Sequence, residues 1–356
     1  VIFCFCLLGR AAGLVGSPPR GRVASRRLLA VPRKSEDELL RRVAVLATVP
    51  VCWGTFSPCV RFVYETATAR AVNEVLPFSG VGFSLGFSAA YYVVALATLA
   101  TASIGVERRR GASAAGFELG GYLFLGNCFQ VVGLQTTTAD AAAFLVQLTT
   151  IIVPFLEEAL FPERGRVSER TRAACFAAFF GVAIICGGDV LLDDPAALLG
   201  DALVVCAAVF YSLHVVRLSR YAPNFEPLDL ALAKAKTETG LALASFGSLL
   251  LLSSSTLLTS TSTTLPTTTL REALLTDWPS LVFAVVWCGA VTTAYTIYAQ
   301  SYGQRDVPPA RANLIYTSQP IFSALFAFLL VGERPTPATG LGGSIILAAV
   351  LADIIL

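Results

Sequence analysis

Ten runs of mostly apolar residues follow one another along the chain, at about 43–64, 78–103, 117–136, 139–161, 172–192, 197–217, 228–252, 278–301, 308–331 and 338–356. Each is close to the roughly 20 residues that a helix needs to cross a bilayer. The runs are long, continuous and rich in Leu and Ala, without the two-residue alternation of a membrane barrel, so they predict helices. Across the 356 residues, 55% are apolar and 14% charged, with a mean hydropathy of +0.69. A water-soluble domain carries roughly a quarter charged residues. The expected class is therefore an all-α integral membrane protein, with the lipid bilayer as its solvent.

A net charge of +2 is too small to suggest nucleic acid as a partner. The nine cysteines form no C-x-x-C and most sit inside apolar runs. They read as small buried hydrophobes, with no disulfide frame and no metal site.

Basic residues orient the spans. One set of connections holds Arg108, Arg109 and Arg110; Arg164, Arg166, Arg170 and Arg172; Arg217 and Arg220; Arg305 and Arg311. The alternate set holds Arg61, Arg70, Arg271 and Arg334, with an acidic loop at Asp189, Asp193 and Asp194. The first set shares a side with the basic N-terminal segment. Ten spans then put both termini on that cytosolic or stromal side. Residues 1–42 hold a short apolar stub and an Arg-rich stretch, readable as an organelle-targeting segment, such as one for a plastid envelope, or as a disordered basic tail. The absence of any Met suggests that the natural N-terminus lies further upstream. Ser- and Thr-rich residues at about 253–269 predict a flexible loop.

An internal repeat organises the rest. Residues 300–334, "QSYGQRDVPPARANLIYTSQPIFSALFAFLLVGER", align without a gap on residues 130–164, "QVVGLQTTTADAAAFLVQLTTIIVPFLEEALFPER", 170 positions earlier. Gln300 meets Gln130, Gly303 meets Gly133, Ala312 meets Ala142, and Glu333-Arg334 meets Glu163-Arg164. The copies lie five spans apart, an odd number, so the two halves are expected to be inverted in the membrane. Inverted repeats are a construction of secondary transporters, which hold substrate near the midplane between the halves.

These stretches, with Trp53-Gly54 in the first span and the run "YGQRDVPPARANLIYTSQPIFSALFAFLLVGERPTPATGLGGSIILAAVL", resemble the EamA-type branch of the drug/metabolite transporter superfamily. The resemblance covers nearly everything after residue 43. It implies ten transmembrane helices in two inverted five-helix repeats, 43–192 and 197–356, around a central cavity. The implied activity is alternating-access transport of a small organic metabolite, with no enzymatic role. Thr150 in the first copy where the second has Pro320, and Phe161-Pro162 before Glu163, depart from the family pattern.

On the spans that the resemblance places around the cavity lie Gln130, Gln147, Asn313, Tyr316 and Gln319. Amides buried in lipid need partners, which substrate or neighbouring helices could provide. Asn313, Tyr316 and Gln319, three residues apart, are expected on one side of a single helix. Thr150 and Pro320 occupy equivalent positions, and Pro320 would free a backbone carbonyl one turn earlier. Lys234, four residues before Glu238, would recognise an anionic group if it lies in the cavity. The blander and slightly favoured alternative is an interfacial Lys234–Glu238 pair with snorkelling stems. Lys236 falls on another face.

Arg311 reads as an interfacial anchor, and Glu157 and Glu158 as a helix end salt-bridged to Arg164 or Arg172. His214, the single histidine, cannot make a metal site alone. Residues 82–86, "GFSLG", match G-x-S-x-G inside an apolar span, where the strand–turn–helix of a nucleophile elbow is not expected. Gly82/Gly86 and Gly116/Gly120 suit close helix packing instead. No Walker-type loop occurs, so no cofactor is implied. The partners expected are a small-molecule substrate and lipid. Coupling to a proton or counter-substrate, exchange of phosphorylated metabolites, a homodimer and a nontransporting scaffold all remain compatible with the sequence.

Overall fold

The computed structural model describes residues 36–64, 66, 81–106, 111–133, 136–137, 139–186, 195–257, 267–331, 334 and 336–355. The targeting segment up to residue 35, Arg70, Arg108–Arg110, the acidic loop, most of the Ser/Thr-rich loop and Glu333 lie outside the described residues, as do the side chains of Arg61 and Arg271.

Every regular element among the described residues is helical. They are α1 (Glu36–Gly54), α2 (Phe56–Tyr64), α3 (Val81–Ala102), α4 (Ser113–Gly133), α5 (Ala139–Val146), α6 (Thr149–Leu160), α7 (Glu169–Cys186), α8 (Pro195–Tyr221), α9 (Pro227–Leu257), α10 (Thr267–Trp287), α11 (Thr296–Gly303), α12 (Pro309–Tyr316), α13 (Gln319–Val331) and α14 (Pro337–Ile355). A π-helical segment, Cys288–Tyr295, joins α10 to α11. Among the described residues, seven stretches are long and apolar enough to cross a membrane: Glu36–Val60, Gly82–Ala102, Ala142–Leu160, Leu198–Asn224, Thr276–Gly303, Pro309–Leu329 and Pro337–Ile354. The three long helices outside that set carry the polar load: Glu118, Asn127 and Gln130 on α4; Glu169, Arg170 and Arg172 on α7; Asp229, Lys234, Lys236 and Glu238 on α9.

The first span starts earlier than hydropathy indicates. Glu36, Asp37 and Glu38 form the first turn of α1, where acidic side chains favour the positive end of the helix dipole. The expected single helix over 308–331 is instead two, separated by a turn at Thr317–Ser318. Pro320 has no N–H, and its ring would clash with the Tyr316 carbonyl in a continuous helix. Ser318 N bonds Ile315 O and Ile321 N bonds Ser318 O, both tightened one residue from the helical pattern. The span at 139–161 breaks the same way at Gln147–Leu148: Leu148 N bonds Leu145 O, and Ile151 N bonds Leu148 O. Those bonds fall 170 residues before their counterparts.

Side-chain packing between helices replaces the hydrophobic drive that lipid removes. α14 lies along α7, α8 and α9 both lie along α4, α3 packs on α9 and on the π segment, and α1 packs on α11 and α13. Glycines permit the tightest crossings. A Cβ on Gly181 of α7 would stand 2.7 Å from the Gly342 carbonyl of α14, and one on Gly120 of α4 would stand 2.7 Å from the Lys234 carbonyl of α9. Either contact requires a bare backbone.

Candidate functional site

The two helix breaks meet. Thr150, at the start of α6, and Thr317, at the end of α12, share a hydrogen bond of 2.7 Å between hydroxyls, and both residues are fully buried. Thr317 Oγ1 also donates to the Asn313 carbonyl at 2.9 Å, and Ser318 Oγ to the Ile315 carbonyl at 2.8 Å. Both carbonyls also accept the backbone N–H of the same residue, so the hydroxyls add a second bond to each at the break.

Around this crossing the structure gathers several of the expected residues. Asn313 Nδ2 donates to Thr149 Oγ1 at 3.4 Å. The Tyr316 ring meets Trp53 of α1 edge-on, with centroids 5.3 Å apart. The Tyr316 hydroxyl lies beside Gln300 of α11 without closing a hydrogen bond of normal geometry. Gln147 is buried at its own break. Gln319 is half-buried and begins α13, past the turn, so it does not share a helix face with Asn313 and Tyr316.

Gln300 is absent from the sequence-based candidates, although it is the repeat partner of Gln130. It is 1% exposed and its Oε1 has no hydrogen-bond partner among the described residues. Gln304, one turn on, has both amide atoms unpartnered. Buried amides left open are costly unless something else satisfies them. The repeat alignment was the signal that could have found Gln300.

A second polar group lies between α3, α4, α8 and α9. Gln130 Oε1 accepts from Tyr211 of α8 at 2.9 Å. Lys234 is completely buried, and its Nζ donates to the Ile297 carbonyl of α11 at 3.2 Å. Helix α9 begins at Pro227, which carries Lys234 and Glu238 inside. The interfacial, snorkelling pair is thereby overturned: neither head reaches water, and no direct ion pair joins them. Lys236 is exposed on the other face.

At one end of α12 lies a cavity of about 490 Å³, walled in part by Arg164, Arg166, Gln304, Arg305, Asp306 and Arg311. Arg166 and Arg305 make no hydrogen bond or ion pair with described residues. Glu157 bonds neither Arg164 nor Arg172. Its Oε2 instead accepts from Ala310 N at 3.0 Å, where α12 begins, a place where open N–H groups and the dipole favour a carboxylate. Glu158 accepts from Val167 N at 2.9 Å. Both expected ion pairs are therefore replaced by backbone contacts. Arg164 donates to Ser219 at 2.9 Å, and Arg172 pairs with Glu169. Arg311 pairs with Asp353 of α14 at 3.0 Å, as an anchor would. Nearby, Arg42 of α1 binds Asp306 at 2.5 Å, Glu38 at 2.6 Å and the Tyr302 carbonyl at 2.8 Å.

Ser84 sits within the unbroken helix α3, so "GFSLG" makes no nucleophile elbow.

Residues 198–352 match the model of the EamA-like transporter family. That segment is similar to EamA-like transporters, and the chain is a membrane transporter. Two curated relatives from Archaeoglobus fulgidus, each described as an uncharacterized transporter, are similar to it. One is 23% identical over 339 residues, covering 93% of this chain and 92% of the relative. The other is 25% identical over 225 residues, covering 62% and 69%. A protein of known crystal structure shares the fold at a TM-score of 0.67 and 15% identity, over 89% of this chain and 97% of the other. These likenesses agree with the apolar helices and point to a transporter, without naming a solute.

Proposed function

We propose that this protein is an EamA-type secondary transporter that moves a small organic metabolite by alternating access. Its ten spans form two inverted five-helix halves, 43–192 and 197–356. The observation that carries the reading is the meeting of two helix breaks, 170 residues apart, at Thr150 and Thr317. Reciprocal packing supports it. α4 of the first half receives α8 and α9 of the second, while α11 and the π segment of the second half receive α1 and α3 of the first. Gly181 and Gly342 each face the other's carbonyl, as a two-fold relation between α7 and α14 requires.

In this account Thr150, Asn313, Tyr316, Gln147 and Gln319 line the pathway at the crossing, joined by Gln300. Gln130 and Lys234 line the wall beside α9. Broken helices are where transporters expose backbone groups to substrate. Rocking the halves about the crossing would open the path first to one side, then to the other, driven by a gradient or by exchange. Both termini then share the cytosolic or stromal side, and a plastid envelope fits the basic leader.

A phosphorylated-metabolite or other anion exchanger is a second reading, favoured by Arg166 and Arg305 at the 490 Å³ cavity and by the buried Lys234. Counterflow uptake in proteoliposomes, with labelled neutral, zwitterionic and phosphorylated solutes, tests both. Uptake of at least one class, lost in Gln300→Ala and Asn313→Ala, is the expected result. Anion uptake that is also lost in Lys234→Ala selects the second reading. Failure of every class to move removes both.

A further inference from the structure

Three ionisable side chains inside the bundle take no part in the crossing of the broken helices: Lys234 and Glu238 on α9 and His214 on α8. They are 0%, 2% and 1% exposed. Among the described residues, Glu238 Oε2 and His214 Nε2 have no hydrogen-bond partner. One helical turn separates Lys234 from Glu238, a spacing at which the two heads can meet. They do not: Lys234 Nζ turns to the Ile297 carbonyl, which also accepts from Ser301 Oγ at 2.6 Å.

The surroundings of Glu238 offer hydroxyls and few charges. Tyr91 and Tyr92 from α3 and Tyr211 from α8 lie within electrostatic reach of its carboxyl, and Cys128 of α4 lies beside Tyr211. Lys234 is the charged group that faces it, with His214 close to Lys234. On α11, Tyr298 belongs to the same apolar cluster as Ala231 and Ala235 of α9. Lys236 points outward and takes no part. Tyr211, in turn, donates its hydroxyl to Gln130.

A pair kept only for helix packing would close its ion pair, because an open buried charge costs several kcal/mol. Ionisable groups inside a membrane that stay open are characteristic of proton relays and ion pathways. We propose that Glu238 is the proton-carrying group of this transporter. Lys234 supplies the counter-charge, and Tyr211 connects the carboxyl to the pathway residue Gln130. The step is a proton transfer alone: a water proton from the open side adds to the carboxylate, and the acid returns it to water on the other side. Solute held at Gln130 changes the hydroxyl that Tyr211 can offer, which links the two occupancies. This rests on the secondary-transport reading.

Two measurements separate failure of the proposal from failure of that reading. Infrared spectra of protein carrying isotopically labelled glutamate, in liposomes, are expected to contain a protonated-carboxyl band that changes with pH and is missing in Glu238→Gln. A spectrum without that band, or one unchanged in Glu238→Gln, overturns the proposal. An inward proton gradient is expected to speed uptake of the transported solute about tenfold in the native protein and in Glu238→Asp. In Glu238→Gln the acceleration should vanish while counterflow exchange persists. A transported solute indifferent to the gradient overturns the proposal alone. A pH-sensitive Glu238 band with no moving solute overturns the transport reading and the coupling with it.

Discussion

Removing the carboxylate from Asp306 should loosen one end of the bundle. Arg42 of α1 and Asp306 in the turn between α11 and α12 meet at 2.5 Å, with the arginine side chain 5% and the aspartate 23% exposed. In Asp306→Asn the guanidinium keeps Glu38, the Tyr302 carbonyl and the face of the Tyr302 ring, 5.0 Å away. The loss is therefore that of one partly buried ion-pair contact, about 2 kcal/mol, and not the larger cost of stranding a buried ion. If this latch forms only while that end is closed, the closed-to-open ratio falls about 30-fold. Pulsed electron spin resonance between labels at Leu40→Cys and Pro308→Cys, both exposed, would read the ratio as a shift toward longer distances. The exchange Arg42→Asp/Asp306→Arg should reverse it in part. A distance distribution identical in native protein, Asp306→Asn and Arg42→Ala would refute the latch.

Other outcomes follow from the packing. Gly342→Leu drives a side chain into the Gly181 carbonyl and Ile185 and should cost about 1–3 kcal/mol, lowering Tm, whereas Gly240→Ala, with nothing within 4 Å of the new Cβ, should not lower it. Glu157→Ala opens the Ala310 N–H and should cost about 1 kcal/mol in thermal unfolding, with Glu157→Gln losing less. Arg217 grips Glu118 through two nitrogens and also touches Tyr221. Arg217→Lys cannot reproduce that fork and should lose about 1 kcal/mol, measured by denaturation in detergent.

Hydropathy made the all-helical membrane class legible, since bilayer thickness and apolar length constrain each other directly. It missed features that depend on particular bonds. The turn at Gln147–Leu148 has no proline to announce it; only the shortened hydrogen bonds reveal the break, and the matching turn at Thr317–Ser318 removed Gln319 from the face it was expected to share. The burial of Lys234 was obscured because a charged residue lowers any window average and suggests a span boundary. Gly120 is what lets α4 approach the backbone at Lys234, so α9 enters the bundle with its lysine covered. Glu157 was expected beside an arginine because charge pairs are easily read from sequence. Its actual partner, the N–H of Ala310, belongs to a helix start more than 150 residues away. The repeat alignment, in contrast, placed Thr150 near the meeting point and held the clue to Gln300.

Access to the Thr150–Thr317 crossing tests the account most directly. Thr317→Cys, with the native cysteines replaced by serine, would be exposed in sealed vesicles to a membrane-impermeant thiol reagent added to one face or the other. Alternating access predicts labelling from both faces, with reagent on one side protecting against the other, and slower labelling when transported solute is present. Labelling from neither face, or from one face only under every condition, would contradict it.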